Sequence, residues 1–358
     1  EPGGESAHSP YELTLWLGLE PLARRSRIHR NHPMSETTEN TRPTPADYLR
    51  LARPHQWGKG AFVLIGPIYS LALIDRWLPV LGAFLAFGFA SSACYVINDI
   101  SDRKSDALHP RKKNRPIASG RIQPGPARVY AIGLLVLASA AVFLVDPEHR
   151  WWVGGFVGVY VANVLIYSAW LKHMAMLDVV SLSVGFVLRV MAGCAAAAVA
   201  PSTWLLNSTF FLAMFLALGK RLGERRTMAG VPAEAEDIRG VHRVYTDDLL
   251  RMAVVMTAVG TLVTYAGYVE QQESNFGPSI QEVAAHQVAW GFNLLWLTIL
   301  PATYGLLRCI VLLEQGRYDD PTELAVRDRG VQAAGLVFVA ITAALLLARR
   351  PELLGMGS

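Results

Sequence analysis

Residues 77–106 read WLPVLGAFLAFGFASSACYVINDISDRKSD. From Trp77 to Ile97 there is no charged side chain, and the run then passes without a break into Asn98, Asp99, Asp102 and Asp106. A bilayer core requires about 20 consecutive apolar residues. The run therefore reads as a membrane-spanning helix, and polar residues that continue directly from such a helix are functional by default.

Outward from this stretch the pattern repeats. Nine apolar segments are predicted, at about 57–75, 77–98, 126–145, 151–171, 176–198, 202–219, 249–268, 288–313 and 331–348. Over the 358 residues, 52% are hydrophobic and only 17% charged, with mean hydropathy +0.28. Soluble domains average about 25% charged residues, so composition excludes the ordinary soluble class. The predicted fold class is all-α, a polytopic membrane bundle. Cys94, Cys194 and Cys309 lie in or beside apolar segments and read as reduced, buried hydrophobes. The histidines lack metal-ligand spacing, and no Walker loop, GxSxG or strand-bound GxGxxG occurs.

Three regions are expected: an N-terminal extension at 1–47, a transmembrane catalytic domain at 48–350 and a tail at 351–358. Residues 1–33 contain no Met, and Met34 reads as the natural start. The loops after the second, fourth, sixth and eighth segments, with the N-terminal region, hold 28 of the 33 Lys and Arg residues. The positive-inside rule puts those regions in the cytosol. This bias reports orientation, and no nucleic-acid partner is implied by it.

Four constellations carry chemistry. Asp99, Asp102 and Asp106 fall at i, i+3 and i+7, which on a continuing helix places them on one face. Three like charges so placed call for a cation. Mg²⁺ takes a few carboxylates and completes its shell with water and substrate phosphate oxygens. Asn98 adjoins them. The basic run Arg111-Lys112-Lys113-Asn114-Arg115 follows, and Arg115, before Pro116, is a candidate phosphate ligand. Tyr167 and Lys172 close the fourth segment, while Asp178 and Arg189 lie within the fifth. An arginine inside a membrane segment must face protein, water or ligand. A phosphate is one partner for it and an acid on another helix is the other. Lys220, Arg221 and Glu224 end the sixth segment, where the cations either bind phosphate or reach for the interface. Lys59 follows Arg53-Pro54-His55-Gln56-Trp57-Gly58 at the entry to the first segment.

Nine helices, the Asn98–Asp106 motif, the Arg53-Pro54-His55-Gln56-Trp57 entry and the Tyr167-to-Lys172 ending resemble the UbiA superfamily of intramembrane prenyltransferases over about residues 48–350. Relatives of this kind carry a second Asp-rich motif after the sixth helix. Here Lys220-Arg221-Leu222-Gly223-Glu224 stands in its place. With Arg327-Asp328-Arg329 before the last helix, this resembles the decaprenyl-phosphate phosphoribosyltransferase branch.

The resemblance implies a nine-helix bundle in the plasma membrane with its active-site loops in the cytosol. It implies transfer of 5-phosphoribose from phosphoribosyl diphosphate to a polyprenyl phosphate, releasing diphosphate, in supply of a lipid-linked arabinose donor for the cell wall. Asp99, Asp102 and Asp106 would hold Mg²⁺. Asp99, Asp102, Lys172 and Arg189 would be catalytic. Asn98, Lys59, Arg115, Tyr167, Lys220, Arg221 and Glu224 would bind substrate. A homo-oligomer is left open. Two other readings stand beside it. One is a prenyltransferase joining a prenyl diphosphate to an aromatic or glycerol acceptor, which the missing second acidic motif disfavours. The other is a transporter of a phosphorylated solute, disfavoured because no internal repeat is visible and the polar residues gather at one membrane face.

Overall fold

The structure is a computed structural model, and it describes residues 43–108, 112–228, 245–272, 292–316 and 327–349. The helices are α1 (Pro45–Ala52), α2 (Phe62–Tyr69), α3 (Trp77–Ser101), α4 (Arg103–Leu108), α5 (Pro124–Val142), α6 (Pro147–Ala169), α7 (Leu177–Ala196), α8 (Thr203–Met228), α9 (Asp247–Gln271), α10 (Ile299–Glu314) and α11 (Arg329–Ala348). Among the described residues there is no strand.

Eight helices, α3 and α5 to α11 (α10 with the 3₁₀ turn from Leu294), are long and apolar enough to cross a membrane. The expected ninth span, 57–75, takes a different form. It consists of a 3₁₀ run from Pro54 to Ala61, the short α2 and turns up to Arg76. Gly58, Gly60 and Pro67 account for this, since glycine and proline weaken a continuous α-helix. Pro67 has no N–H, so the Val63 carbonyl four residues earlier loses its helical donor. That carbonyl instead lies against the Cα of Gly193 on α7, where an added Cβ would fall on the oxygen. Gly193→Leu would push two backbones apart and is expected to cost at least about 3 kcal/mol, the upper range for overpacking. Its melting temperature in detergent, against wild type, measures this.

The two central helices are α3 and α7. About two-thirds of the most apolar stretch of α3 (67%) and 61% of that of α7 are buried, against 17% for α6 and α11. Close approach is bought with small residues: α3 buries Gly82, Ala83, Ala86, Gly88, Ala90, Ser91, Ser92 and Ala93. Its neighbours α5 and α6 complete one core around Phe87, Val153 and Tyr160. A second core joins α8, α9 and α10 through Phe215, Leu218, Leu250 and Leu312. All three cysteines are buried, as expected.

At the start of α11, Asp328 caps the helix. Its carboxylate accepts from the Val331 N–H at 2.9 Å and from Arg308 Nε and Nη2 of α10 at 3.2 and 3.0 Å. Arg308, with the backbone N–H groups of Val331 and Gly330, holds the Asp328 carboxyl down at about 2. A lowered acid pKa contributes stability above the unfolded value near 3.8, and loses it as pH falls toward 2. Asp328→Asn is expected to flatten that acid limb, as read from melting temperature between pH 5 and pH 2.5 at about equal ionic strength.

Candidate active site

The acidic motif sits where α3 ends. Asp102 is the C-cap, and the chain resumes as α4 one residue later. At 100° per residue, positions seven apart differ by about 20° and positions three apart by about 60°. Asp99 and Asp106 accordingly meet one cation. Arg115 Nη1 donates to Asp99 Oδ1 at 3.1 Å and to Asp106 Oδ2 at 2.6 Å. Asp102 turns elsewhere. It accepts from Lys172 Nζ at 3.0 Å and from Asn98 Nδ2 at 3.0 Å. The single face expected for all three acids thus holds for two of them.

Asp99 is only 2% exposed. A second guanidinium neutralises it: Arg53 Nη2 donates to both carboxylate oxygens, at 2.7 and 2.9 Å, and lies over the Tyr95 ring. Arg53 reaches this point from a left-handed backbone conformation (φ 53°) at the end of α1, just before Pro54. The 3₁₀ run behind it is pinned to α3 by Trp57 Nε1 donating to Ser92 Oγ, which in turn donates to the Ala52 carbonyl. Lys112 stands 4.0 Å from Asp106, and Arg121 binds Asp47 of α1 at 2.8 Å. Arg111 lies outside the described residues.

The other half of the site comes from α7 and α8. Helix α8 runs beyond the predicted end at residue 219, so Lys220, Arg221 and Glu224 lie on the helix itself. Arg221 Nη2 donates to Asp178 Oδ2 at 3.3 Å and Nη1 to Glu224 Oε2 at 3.2 Å. Asp178 is fully buried and also accepts from the Tyr245 hydroxyl at 2.5 Å. Tyr167 is close enough to Arg221 to interact electrostatically. Lys59 and Lys220 are exposed at the surface.

Arg189 is not brought to this end. It lies eleven residues beyond Asp178 in α7, about 16 Å along the axis. It is 6% exposed and donates to the Gly185 carbonyl and the Tyr160 hydroxyl at 2.8 and 2.9 Å. The rings of Tyr160, Phe87 and Phe186 surround its guanidinium at 4.4–5.5 Å. Among the described residues no carboxylate pairs with it, so the acid partner weighed from the sequence is replaced by a phenol and three aromatic faces. A cavity of about 380 Å³ lies farther still, past the end of α7, lined by Tyr69, Cys194, Ser202, Tyr268 and Gln272. It is remote from the acids.

The model of the UbiA prenyltransferase family matches residues 60–329. The chain belongs to the UbiA prenyltransferase family. It is 31% identical over 320 residues to the decaprenyl-phosphate phosphoribosyltransferase of Mycolicibacterium smegmatis, a match covering 86% of this chain and 95% of that protein. It is 32% identical to the protein of the same name from Corynebacterium glutamicum, over 81% of this chain and 84% of that one. Among solved structures, the UbiA homolog from Archaeoglobus fulgidus bound to GPP and Mg²⁺ superposes with TM-score 0.56 at 18% identity, covering 84% of this chain and 99% of that one. That likeness establishes a UbiA fold for this all-helical, multi-pass chain.

Whether this UbiA site fits Mg²⁺ is read from its donors. Asp99 Oδ1 and Asp106 Oδ2 already lie around one point of positive charge, the Arg115 nitrogen. Carboxylate oxygens are the ligands Mg²⁺ prefers. Among the described residues no three acidic, His or Cys side chains converge as a complete ligand set. The arrangement suits an ion that takes a few protein oxygens and fills its shell with phosphate oxygens and water.

From the sequence, Arg53 is named only as part of the entry motif, without a role in the site, and Tyr245 is not named. Arg53 had a signal, a cation immediately before Pro54 in the entry to the first apolar segment. Tyr245 had none, since its partner Asp178 is 67 residues away.

Proposed function

We propose that this protein transfers 5-phosphoribose from phosphoribosyl diphosphate to a polyprenyl phosphate, releasing diphosphate. The observation that carries this reading is the likeness to the Mycolicibacterium smegmatis enzyme along 86% of the chain. The residues agree with it. The end of α8, where a second acidic motif would hold a second metal, presents Lys220 and Arg221, which suits direct binding of a phosphate group. The Lys and Arg distribution favours a cytosolic placement of this end in the cell membrane, with residues 48–350 as the catalytic unit.

Asp99, Asp102 and Asp106 are the residues that would hold Mg²⁺. When bound, the metal supplies neutralising charge to the departing diphosphate. Lys172, tied to Asp102, and Arg115, tied to Asp99 and Asp106, stand beside those acids, where they can contact the same diphosphate. Asn98 fixes the orientation of Asp102. Lys59, Lys220 and Arg221 are assigned to the 5-phosphate of the ribose and to the lipid phosphate, with Tyr167 and Glu224 beside Arg221. The C1–O bond to diphosphate breaks as an oxygen of the lipid phosphate forms the new bond to C1. That oxygen is already ionised near neutral pH, so no strong general base is required. Rate enhancement then comes from positioning and electrostatics. Arg189 takes a structural part in this reading, joining α6 to α7.

An assay offering each donor separately tests the proposal. With a polyprenyl phosphate acceptor and Mg²⁺, phosphoribosyl diphosphate is expected to yield diphosphate. A prenyl diphosphate with an aromatic acceptor is expected to yield none. Release from the prenyl donor alone would favour an aromatic prenyltransferase.

A further inference from the structure

The Asp178 carboxylate divides its two oxygens. Oδ1 accepts from the Tyr245 hydroxyl at 2.5 Å, and Oδ2 accepts from Arg221 Nη2 at 3.3 Å. The Tyr245 hydroxyl has a second bond, accepting from the Met176 N–H at 2.8 Å. Met176 holds a left-handed backbone (φ 68°) that a Met rarely adopts, directly before α7 and four residues after Lys172. One phenol therefore clamps both the strained exit of the Lys172 turn and the acid that faces Arg221. Its ring is 1% exposed and packed in the second core with Val179, Leu218, Leu222 and Leu250, so the hydroxyl cannot wander. Burial, and the Asp178 carboxylate beside it, push the phenol above its usual range. It stays protonated and donates.

We propose that Tyr245 is a positioning residue for phosphate binding, limiting Asp178 to a single hydrogen bond with Arg221 and keeping Lys172 in place through Met176. A guanidinium paired side-on with a carboxylate has two N–H groups committed to it. With Tyr245 holding Oδ1, Asp178 offers Arg221 one oxygen; Glu224 takes Nη1 at 3.2 Å, and the guanidinium N–H groups beyond these two bonds can face an anion. Without the hydroxyl, Asp178 is free to take Arg221 with both oxygens, and Met176 loses the acceptor that steadies its backbone. This rests on the reading of this end as a phosphate site.

The test uses purified full-length Tyr245→Phe, Asp178→Asn and the double variant. Melting temperature, KM and kcat for phosphoribosyl diphosphate, and Kd for inorganic diphosphate and for ribose 5-phosphate, each with Mg²⁺, are measured. Tyr245→Phe is expected to raise KM and at least one Kd roughly tenfold with kcat little changed, the scale of one lost hydrogen bond to a charged group. The double variant is expected to be less than additive, because part of the phenol's effect passes through the acid and only the Met176 part is independent of it. Unchanged KM and Kd in Tyr245→Phe, with only a lower melting temperature, would overturn the proposal. If Tyr245→Phe does not fold, Asp178→Asn decides, since unchanged KM and Kd there would overturn it as well. A wild type that binds the phosphates but transfers nothing would sink the proposed activity while leaving this inference to the binding data.

Discussion

Asp102→Ala is expected to lower phosphoribosyl transfer by roughly a thousandfold, the upper scale for losing one electrostatic group at a reacting centre, while the protein still folds. Asp102 is half-buried, and its partners are one lysine and one amide. Exposed and half-exposed pairs of this kind contribute about 0–1 kcal/mol to stability, so the melting temperature should barely move. Asp99→Ala makes a poorer test. Asp99 is buried beneath two guanidinium groups, and its removal leaves Arg53 and Arg115 facing each other without their shared acid. Loss of activity there would mix chemistry with stability. Turnover in Asp102→Ala within threefold of wild type would remove Asp102 from the reaction.

Arg115→Ala is expected to have the largest effect on stability, a loss of about 3–5 kcal/mol, the scale for removing one partner from a buried ion pair. Arg115 is the cation shared by Asp99 and Asp106, both almost fully buried, so its removal leaves two carboxylates close together with Arg53 for Asp99 and the more distant Lys112 for Asp106. The same variant reports on the metal. If those carboxylates suit Mg²⁺, added Mg²⁺ should raise the melting temperature of Arg115→Ala more than that of wild type, because an ion that binds only the folded state stabilises it. Equal shifts in both proteins would show that Asp99 and Asp106 do not bind the ion by themselves.

The sequence made the membrane class and the acidic motif legible, because the physics there is local. A run such as Trp77–Ile97 is long enough to span and too apolar for water. Acids that follow it at fixed helical spacing carry their meaning within eight residues. The missing long helix at 57–75 was harder to read. Its composition is apolar enough, but Gly58, Gly60 and Pro67 break it, and the reason the break is tolerated is a contact with Gly193, more than a hundred residues away.

Pairings were less legible still. Arg53 meets Asp99 across 46 residues, Arg221 meets Asp178 across 43, and Lys172 meets Asp102 across 70. Asp178 and Arg189 share one helix and looked like members of one site. The fold gives the first to Arg221 and Tyr245, and the second to Tyr160. Cations could be recognised from the sequence as phosphate-binding types, but which acid orients each one is decided by how α3, α7 and α8 pack.

The central claim is the identity of the transferred group. Purified protein incubated with Mg²⁺, phosphoribosyl diphosphate and decaprenyl phosphate should form a lipid whose mass exceeds that of the acceptor by one phosphoribosyl group, seen by mass spectrometry, with one diphosphate released per product. An acceptor recovered unchanged under conditions where a prenyl diphosphate is consumed would contradict it.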